Sequence, residues 1–232
     1  PNYSSLDFLS FDAKTYSGDA NAYDTRPTGI TISTGGLAWV VGYYLTNKGH
    51  ASHAFAVQVN TASVNASTPS AIVGGSWISF DVSVAGGGIA RGVDSKDGTD
   101  ANTLIVGTYS DASGKQQGYV LTISEWKYDK SGAATVVPVG SGATVTCSGA
   151  IGGYIHGISA IGGRVVGIAY TSNLAGYAYD ADGSWTKGNT YTVCLQILGP
   201  GASKNGQTWA SGISSDNVRI VGQGAGEDWI YP

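Results

Sequence analysis

The sequence contains no methionine, only three histidines, two cysteines and 12% charged residues, and each shortage removes a class of protein. His50, His53 and His156 fall in different strands or turns, and Cys147 and Cys194 form no Cys-x-x-Cys pair. No metal-ligand cluster is therefore expected, and no cofactor. Lys and Arg number 12 without forming a run, and the net charge is −4, so neither a phosphate backbone nor an anionic membrane is an expected partner. No apolar stretch approaches the ~20 residues a membrane-spanning helix needs. Motifs of common chemistries are absent as well. There is no Gly-x-Ser-x-Gly elbow for a hydrolase, and Gly86-Gly87-Gly88 lacks the Lys-Ser or Lys-Thr of a phosphate-binding loop and reads as a turn between sheets. Asp94, Asp97 and Asp100 have part of a calcium loop's spacing without its closing Glu, and turn chemistry accounts for them.

What the chain has is glycine, 36 residues of it, with 14 tyrosines and abundant Val, Thr and Ser. That mixture favours short strands joined by tight turns, and no stretch reads as a helix. With 42% hydrophobic residues in 232, the chain can bury a sizeable core, and residues 1–232 read as one all-β domain.

A repeat organises those strands. Gly29-Ile30 leads to Val40-Val41-Gly42, and Gly92-Val93 to Ile105-Val106-Gly107. Gly157-Ile158-Ser159 leads to Val165-Val166-Gly167, and Gly212-Ile213-Ser214 to Ile220-Val221-Gly222. An aromatic-bearing strand follows each copy: Ala54-Phe55-Ala56-Val57, Gly118-Tyr119-Val120-Leu121, Gly176-Tyr177-Ala178-Tyr179 and Asp228-Trp229-Ile230-Tyr231. Fourth strands are expected at Trp77 to Val82, Thr144 to Cys147 and Tyr191 to Leu195. The last copy has none of its own, but Phe8 to Ala13 echoes Ile78 to Val82 and is expected to complete it. Four such repeats predict a four-bladed β-propeller closed through its N-terminal strand, a β-sandwich with coincidental repeats being the alternative.

These units, including the literal Ser52-His53-Ala54-Phe55, resemble the extracellular HAF repeats, which read Gly-Ile-Asn-x-x-Gly-x-Val-Val-Gly followed by His-Ala-Phe. The resemblance spans nearly the whole chain and implies fold and export. Export also fits a chain beginning at Pro1 as a mature protein would, and the sequons at Asn2 and Asn65 would accept glycans in a eukaryotic secretory pathway. In that setting Cys147 and Cys194 read as one disulfide, with two free buried thiols the alternative.

Scaffold positions repeat, whereas the residues just before the glycine differ: Thr28, Arg91, His156 and Ser211. Two positions earlier stand Arg26, Ile89, Tyr154 and Trp209. In a propeller these side chains converge on one channel mouth, a setting for a single apolar, oxygen-bearing small molecule. The plainer reading is that they satisfy backbone carbonyls at strand ends. Trp39, Tyr43, Tyr44, Trp77 and Trp185 read as packing between blades.

Architecture and chain type are also similar to the fungal hetero-Diels–Alderases of tropolone-sesquiterpenoid biosynthesis. That likeness implies a cofactor-free enzyme joining a tropolone-derived quinone methide to a humulene-type alkene. Arg91 and His156 would then be catalytic hydrogen-bond donors, and Tyr154 and Trp209, with Arg26, Thr28 and Ser211, would hold the substrates. A carbohydrate-binding lectin would repeat the same residues in every blade, which the pre-glycine positions do not. A structural or adhesive protein is the third reading, and homo-oligomerisation is left open.

Overall fold

The computed structural model describes residues 12–46, 51–63, 72–74, 76–82, 87–125, 135–136, 143–145, 147, 150–170, 176–182, 190–191, 195–197, 208–224 and 227–231. They form an all-β chain of four open, mainly antiparallel sheets that follow one another in sequence. The first sheet holds β1 (Ala22–Ile32), β2 (Leu37–Thr46), β3 (Ser52–Asn60) and β4 (Ile78–Asp81) in spatial order. Between it and the third run β5 (Ile89–Ser95), β6 (Thr103–Ser110), β7 (Gln116–Thr122), the short β8 (Thr135–Val136) and β9 (Ala143–Val145). The third sheet follows with β10 (Gly152–Ser159), β11 (Arg164–Tyr170) and β12 (Gly176–Asp182), then the short β13 (Thr190–Tyr191) and β14 (Leu195–Ile197). β15 (Thr208–Ile213), β16 (Ile220–Gly224) and β17 (Glu227–Tyr231) make the fourth.

Two short strands leave their own repeat. β8 pairs in parallel with β4, and β13 in parallel with β9, so the excursion before a sheet's last strand reaches back to the outer edge of the preceding sheet. Covering an edge strand in this way removes unpaired backbone groups that would otherwise template aggregation. The single strand expected from Tyr191 to Leu195 is accordingly divided. Thr190–Tyr191 belongs to the second sheet's edge, and Leu195–Ile197 pairs with β12.

The apolar-pair motif is explained by the alternation of side chains along a strand that is covered on both faces. In β6, Ile105 points into a cluster with Trp39, Val41, Ala56, Val93 and Tyr119, between the first and second sheets. Its neighbour Val106 points the other way, into a cluster with Val120, Cys147, Ile155, Ile158 and Val165. Val166 then meets Ala210 and Ile220 of the fourth sheet. On the outer face of the first sheet, Tyr44, Phe55, Val57 and Trp77 pack with Ala13.

The Gly-Ile glycines mark where the first strands of neighbouring sheets touch. A Cβ on Gly29 would stand 3.1 Å from Gly92 Cα, one on Gly92 3.5 Å from Gly157 Cα, and one on Gly157 2.9 Å from Gly212 Cα. Side chains there would force the sheets apart. The residue immediately before each of these glycines is skipped in the pairing with the second strand, making a β-bulge at Thr28, Arg91, His156 and Ser211. The other motif glycine lies against this bulge. A Cβ on Gly107 would meet the Ile89 carbonyl at 2.0 Å, and one on Gly167 the Tyr154 carbonyl at the same distance.

The His-Ala-Phe segment clamps the fourth strand. His53 and Phe55 share a face of β3; the His53 Nδ1 lies 2.8 Å from Asp81 Oδ1, and the Phe55 ring stacks on Trp77 at 4.6 Å between centroids. Of the strand expected at Phe8 to Ala13, residues 8–11 lie outside the described residues. Asp12 and Ala13 depart from it: they are the N-cap and first residue of a one-turn helix, α1 (Ala13–Tyr16), because the Asp12 carboxylate accepts the Lys14 amide. Cys147 is buried in the second cluster, while Cys194, Asn2 and Asn65 lie outside the described residues.

The contact between first strands predicts an asymmetric response to added methyl groups. Gly157→Ala is expected to lower stability in denaturant titrations by about 1–3 kcal/mol. Gly74→Ala, with nothing within 4 Å, should change it by less than about 0.5 kcal/mol. Equal effects would contradict the close approach.

Candidate functional site

A β-bulge turns its extra residue out of the sheet's regular alternation, so the four pre-glycine side chains leave their strands at equivalent places. They then do different things. Thr28 Oγ1 donates to the Ala90 carbonyl of the next sheet at 2.7 Å, and the His156 Nδ1 stands 3.1 Å from the Ala210 carbonyl of the sheet after its own. Ala90 and Ala210 occupy the same repeat position, so these two residues perform one task, tying each first strand to the next. Ser211 is exposed and has no partner among the described residues.

Arg91 differs from all three. The residue is half-buried, its Nε is enclosed without a hydrogen-bond partner, and no carboxylate among the described residues pairs with it. Its strand lies directly against that of His156, since a Cβ on Gly92 would stand 3.1 Å from the His156 carbonyl. The positive charge is felt by the neighbouring groups: burial first, and then Arg91, lowers the His156 pKa below its ordinary value. A carbonyl can only accept, so the His156 Nδ1 carries the proton. The ring is then neutral near pH 7, and its Nε2 is left as an acceptor.

Aromatic rings line the same place. Tyr154 lies edge-on to Tyr170, with centroids 5.5 Å apart, and 6.4 Å from the His156 ring. Burial raises the Tyr170 pKa while Arg91 opposes it, and the fully buried Tyr119, whose hydroxyl donates to the Ile89 carbonyl at 3.2 Å, is raised far above the ordinary tyrosine value by the same desolvation. Both phenols stay protonated at neutral pH. Tyr170 was not singled out from sequence. Its signal is the register, which sets Gly152 opposite Tyr170 and Tyr154 opposite Ile168, two residues away on the same face.

The structure brings Arg91, His156 and Tyr154 together and adds Tyr170. Arg26 is occupied elsewhere: it pairs with Asp24, donates to the Tyr43 hydroxyl at 3.2 Å and lies over the Tyr43 ring on an exposed part of the first sheet. Trp209 is half-buried on the fourth sheet, opposite Gln223. No hydrogen bond or ring contact joins Arg26, Trp209 or Ser211 to Arg91 among the described residues.

The remaining polar candidates have structural tasks. Asp94 accepts the Ala160 amide at 2.7 Å, Asp97 caps a turn through Thr99 and Asn102, and Asp100 accepts the Trp39 indole N–H at 2.8 Å. These three carboxylates therefore serve separate partners. No group of three or more His, Cys, Asp or Glu residues is placed to hold a metal ion among the described residues. No protein-family model matches the chain, and no curated protein matches it.

His53 and His156 respond to pH in opposite senses. The hydrogen bond from His53 to Asp81 raises the His53 pKa above 6.5 against the opposing effect of burial. The folded state therefore binds that proton more tightly than the unfolded chain. The resulting stabilisation is complete below pH 6.5 and disappears as pH rises through the higher folded value. Asp81→Asn should destabilise the protein more at about pH 5.5 than at about pH 8.5 in urea titrations. A cost that does not change with pH would contradict a charged His53 pair.

Proposed function

We propose that the chain is a four-bladed β-propeller of the HAF-repeat kind, the segment from Phe8 supplying the outer strand of the last blade. One end of it would hold a single planar, oxygen-bearing organic ligand. The observation that carries this reading is Arg91: a half-buried cation with no acidic partner among the described residues, beside a neutral histidine and two tyrosine rings. Leaving a buried donor unsatisfied costs about 1–3 kcal/mol, a cost that a ligand oxygen removes on binding. The asymmetry of the four bulges favours one site over the repeated sites of a lectin.

Within this reading the protein accelerates a hetero-Diels–Alder addition without a cofactor, as its resemblance to the tropolone-sesquiterpenoid enzymes implies. A quinone methide presents an O=C–C=C heterodiene, and the alkene adds across its ends, so one C–O and one C–C bond form and nothing leaves. Negative charge grows on the quinone-methide oxygen in the transition state. Arg91 is the group suited to donate to it, and a fixed donor of this kind lowers the barrier more than it tightens ground-state binding. His156 has its one N–H committed to Ala210, so its part is to hold the channel wall and offer Nε2 as an acceptor. Tyr154 and Tyr170 would face the flat ring, with Trp209 and aliphatic groups shaping the alkene's side.

Export and a Cys147–Cys194 bridge belong to the same proposal. Thr144 and Val145 pair with Thr190 and Tyr191 in parallel, and each cysteine follows its strand by two or three residues.

Purified protein is to be incubated with a quinone methide generated in situ and a humulene-type alkene, and the adduct followed by chiral chromatography. The reading predicts faster formation of one stereoisomer, with the rate falling about 10²–10³-fold in Arg91→Ala and only partly recovered in Arg91→Lys. No acceleration over buffer, together with saturable oligosaccharide binding at several sites per chain, would overturn it in favour of a lectin.

A further inference from the structure

The two arginines that precede first-strand glycines have opposite surroundings. Arg26 has 55% of its side chain exposed, yet Asp24 pairs with it and the Tyr43 hydroxyl accepts from it. Arg91 is half-buried, its Nε is enclosed without a partner, and no carboxylate among the described residues pairs with it. Folding alone favours the reverse. An ion pair at the surface adds little, whereas a charge drawn out of water needs a counter-charge beside it.

The neighbouring strands do not provide one. The titratable groups that feel Arg91 are Tyr119 on β7, His156 on β10 and Tyr170 on β11, and the Tyr154 ring lies against the last two. Burial raises the pKa of both Tyr119 and Tyr170, and burial together with Arg91 lowers that of His156, so these three groups are neutral near pH 7. Asp94, on the same strand as Arg91, is buried and committed elsewhere: its Oδ2 accepts the Ala160 amide at 2.7 Å, and its Oδ1 lies 3.5 Å from Thr31 Oγ1. None of the side chains at the four pre-glycine positions, or two residues before them, is a carboxylate.

We propose that the ligand itself brings the missing counter-charge: the site binds a planar conjugated ring whose oxygen is ionised, in preference to the neutral form of the same molecule. The proposal rests on the ligand site at Arg91 and adds to it the protonation state, and so the chemical class, of what the site holds: a ring bearing an acidic hydroxyl. The guanidinium offers a planar fork of N–H donors, and such donors bond an oxyanion more strongly than a neutral oxygen. In the addition reaction the quinone-methide oxygen gains negative charge only towards the transition state. A stable ring oxyanion therefore resembles that state and competes with the reactants.

The test uses the purified chain with 4-nitrophenol, whose ionised form is yellow, and with its methyl ether 4-nitroanisole, which has a similar shape and no proton to lose. One 4-nitrophenol is expected to bind per chain and to ionise, when bound, about 1–3 pH units below its midpoint in buffer. At about pH 8, 4-nitroanisole should bind at least about tenfold more weakly. Arg91→Gln should return the midpoint to its value in buffer. The comparison of the two probes is made on the unaltered chain and stands even where that variant does not fold. Saturable binding of both probes with equal affinity and an unmoved midpoint would overturn the anionic ligand and leave a site for planar rings standing. A displaced midpoint that persists in folded Arg91→Gln would overturn the role given to Arg91. Binding of neither probe would remove the ligand site itself, and with it the reading on which the proposal rests.

Discussion

The close approach of the first strands at Gly29, Gly92, Gly157 and Gly212 is the constraint on which the other features depend. Backbones that meet with no Cβ between them bring neighbouring sheets near enough for the apolar pairs of the second and third sheets, Ile105-Val106 and Val165-Val166, to be buried on both sides. They also require the first strand to yield in its pairing with the second. The bulge before each glycine is how it does so, and a second glycine on β2, β6 and β11 leaves room for the bulged backbone. Packing density, strand register and the direction of the pre-glycine side chains therefore follow from one repeated contact.

The bulge also separates scaffold from site. An extra residue that escapes the sheet's alternation can vary without disturbing the core, and the four positions do vary. Thr28 and His156 use their freedom to hold the next strand, through a hydroxyl in one case and a ring N–H in the other. Arg91 carries a charge that no carboxylate among the described residues neutralises. In a chain of low charge, a half-buried arginine with no carboxylate partner among the described residues is unfavourable for folding alone. That imbalance is why the functional proposal centres on Arg91 instead of on the histidine beside it.

The strands were largely legible because their signal is local. Gly-Ile followed by an apolar pair and glycine fixes a hairpin, and the four aromatic-bearing third strands at Phe55, Tyr119, Tyr177 and Trp229 lie where the pattern puts them. The short parallel strands β8 and β13 were not legible, since two residues added to another sheet's edge leave no periodicity. Asp12 hid its role because an Asp that ends a strand and one that caps a helix look alike. Within the site, the sequence marked Arg91, His156 and Tyr154 through their departure from the repeat. It did not reveal that His156 spends its proton on Ala210, or that Tyr170 stands beside Tyr154, because both depend on distances across strands.

Native-state hydrogen exchange tests the central claim most directly, because it reports whether the sheets unfold separately or together. If contact between the first strands holds the four sheets as one unit, the slowest amides of β2, β6, β11 and β16 will exchange with a common opening free energy equal to that of global unfolding. Opening free energies that differ from sheet to sheet by more than about 1–2 kcal/mol would show sheets that stand independently, and would contradict the account.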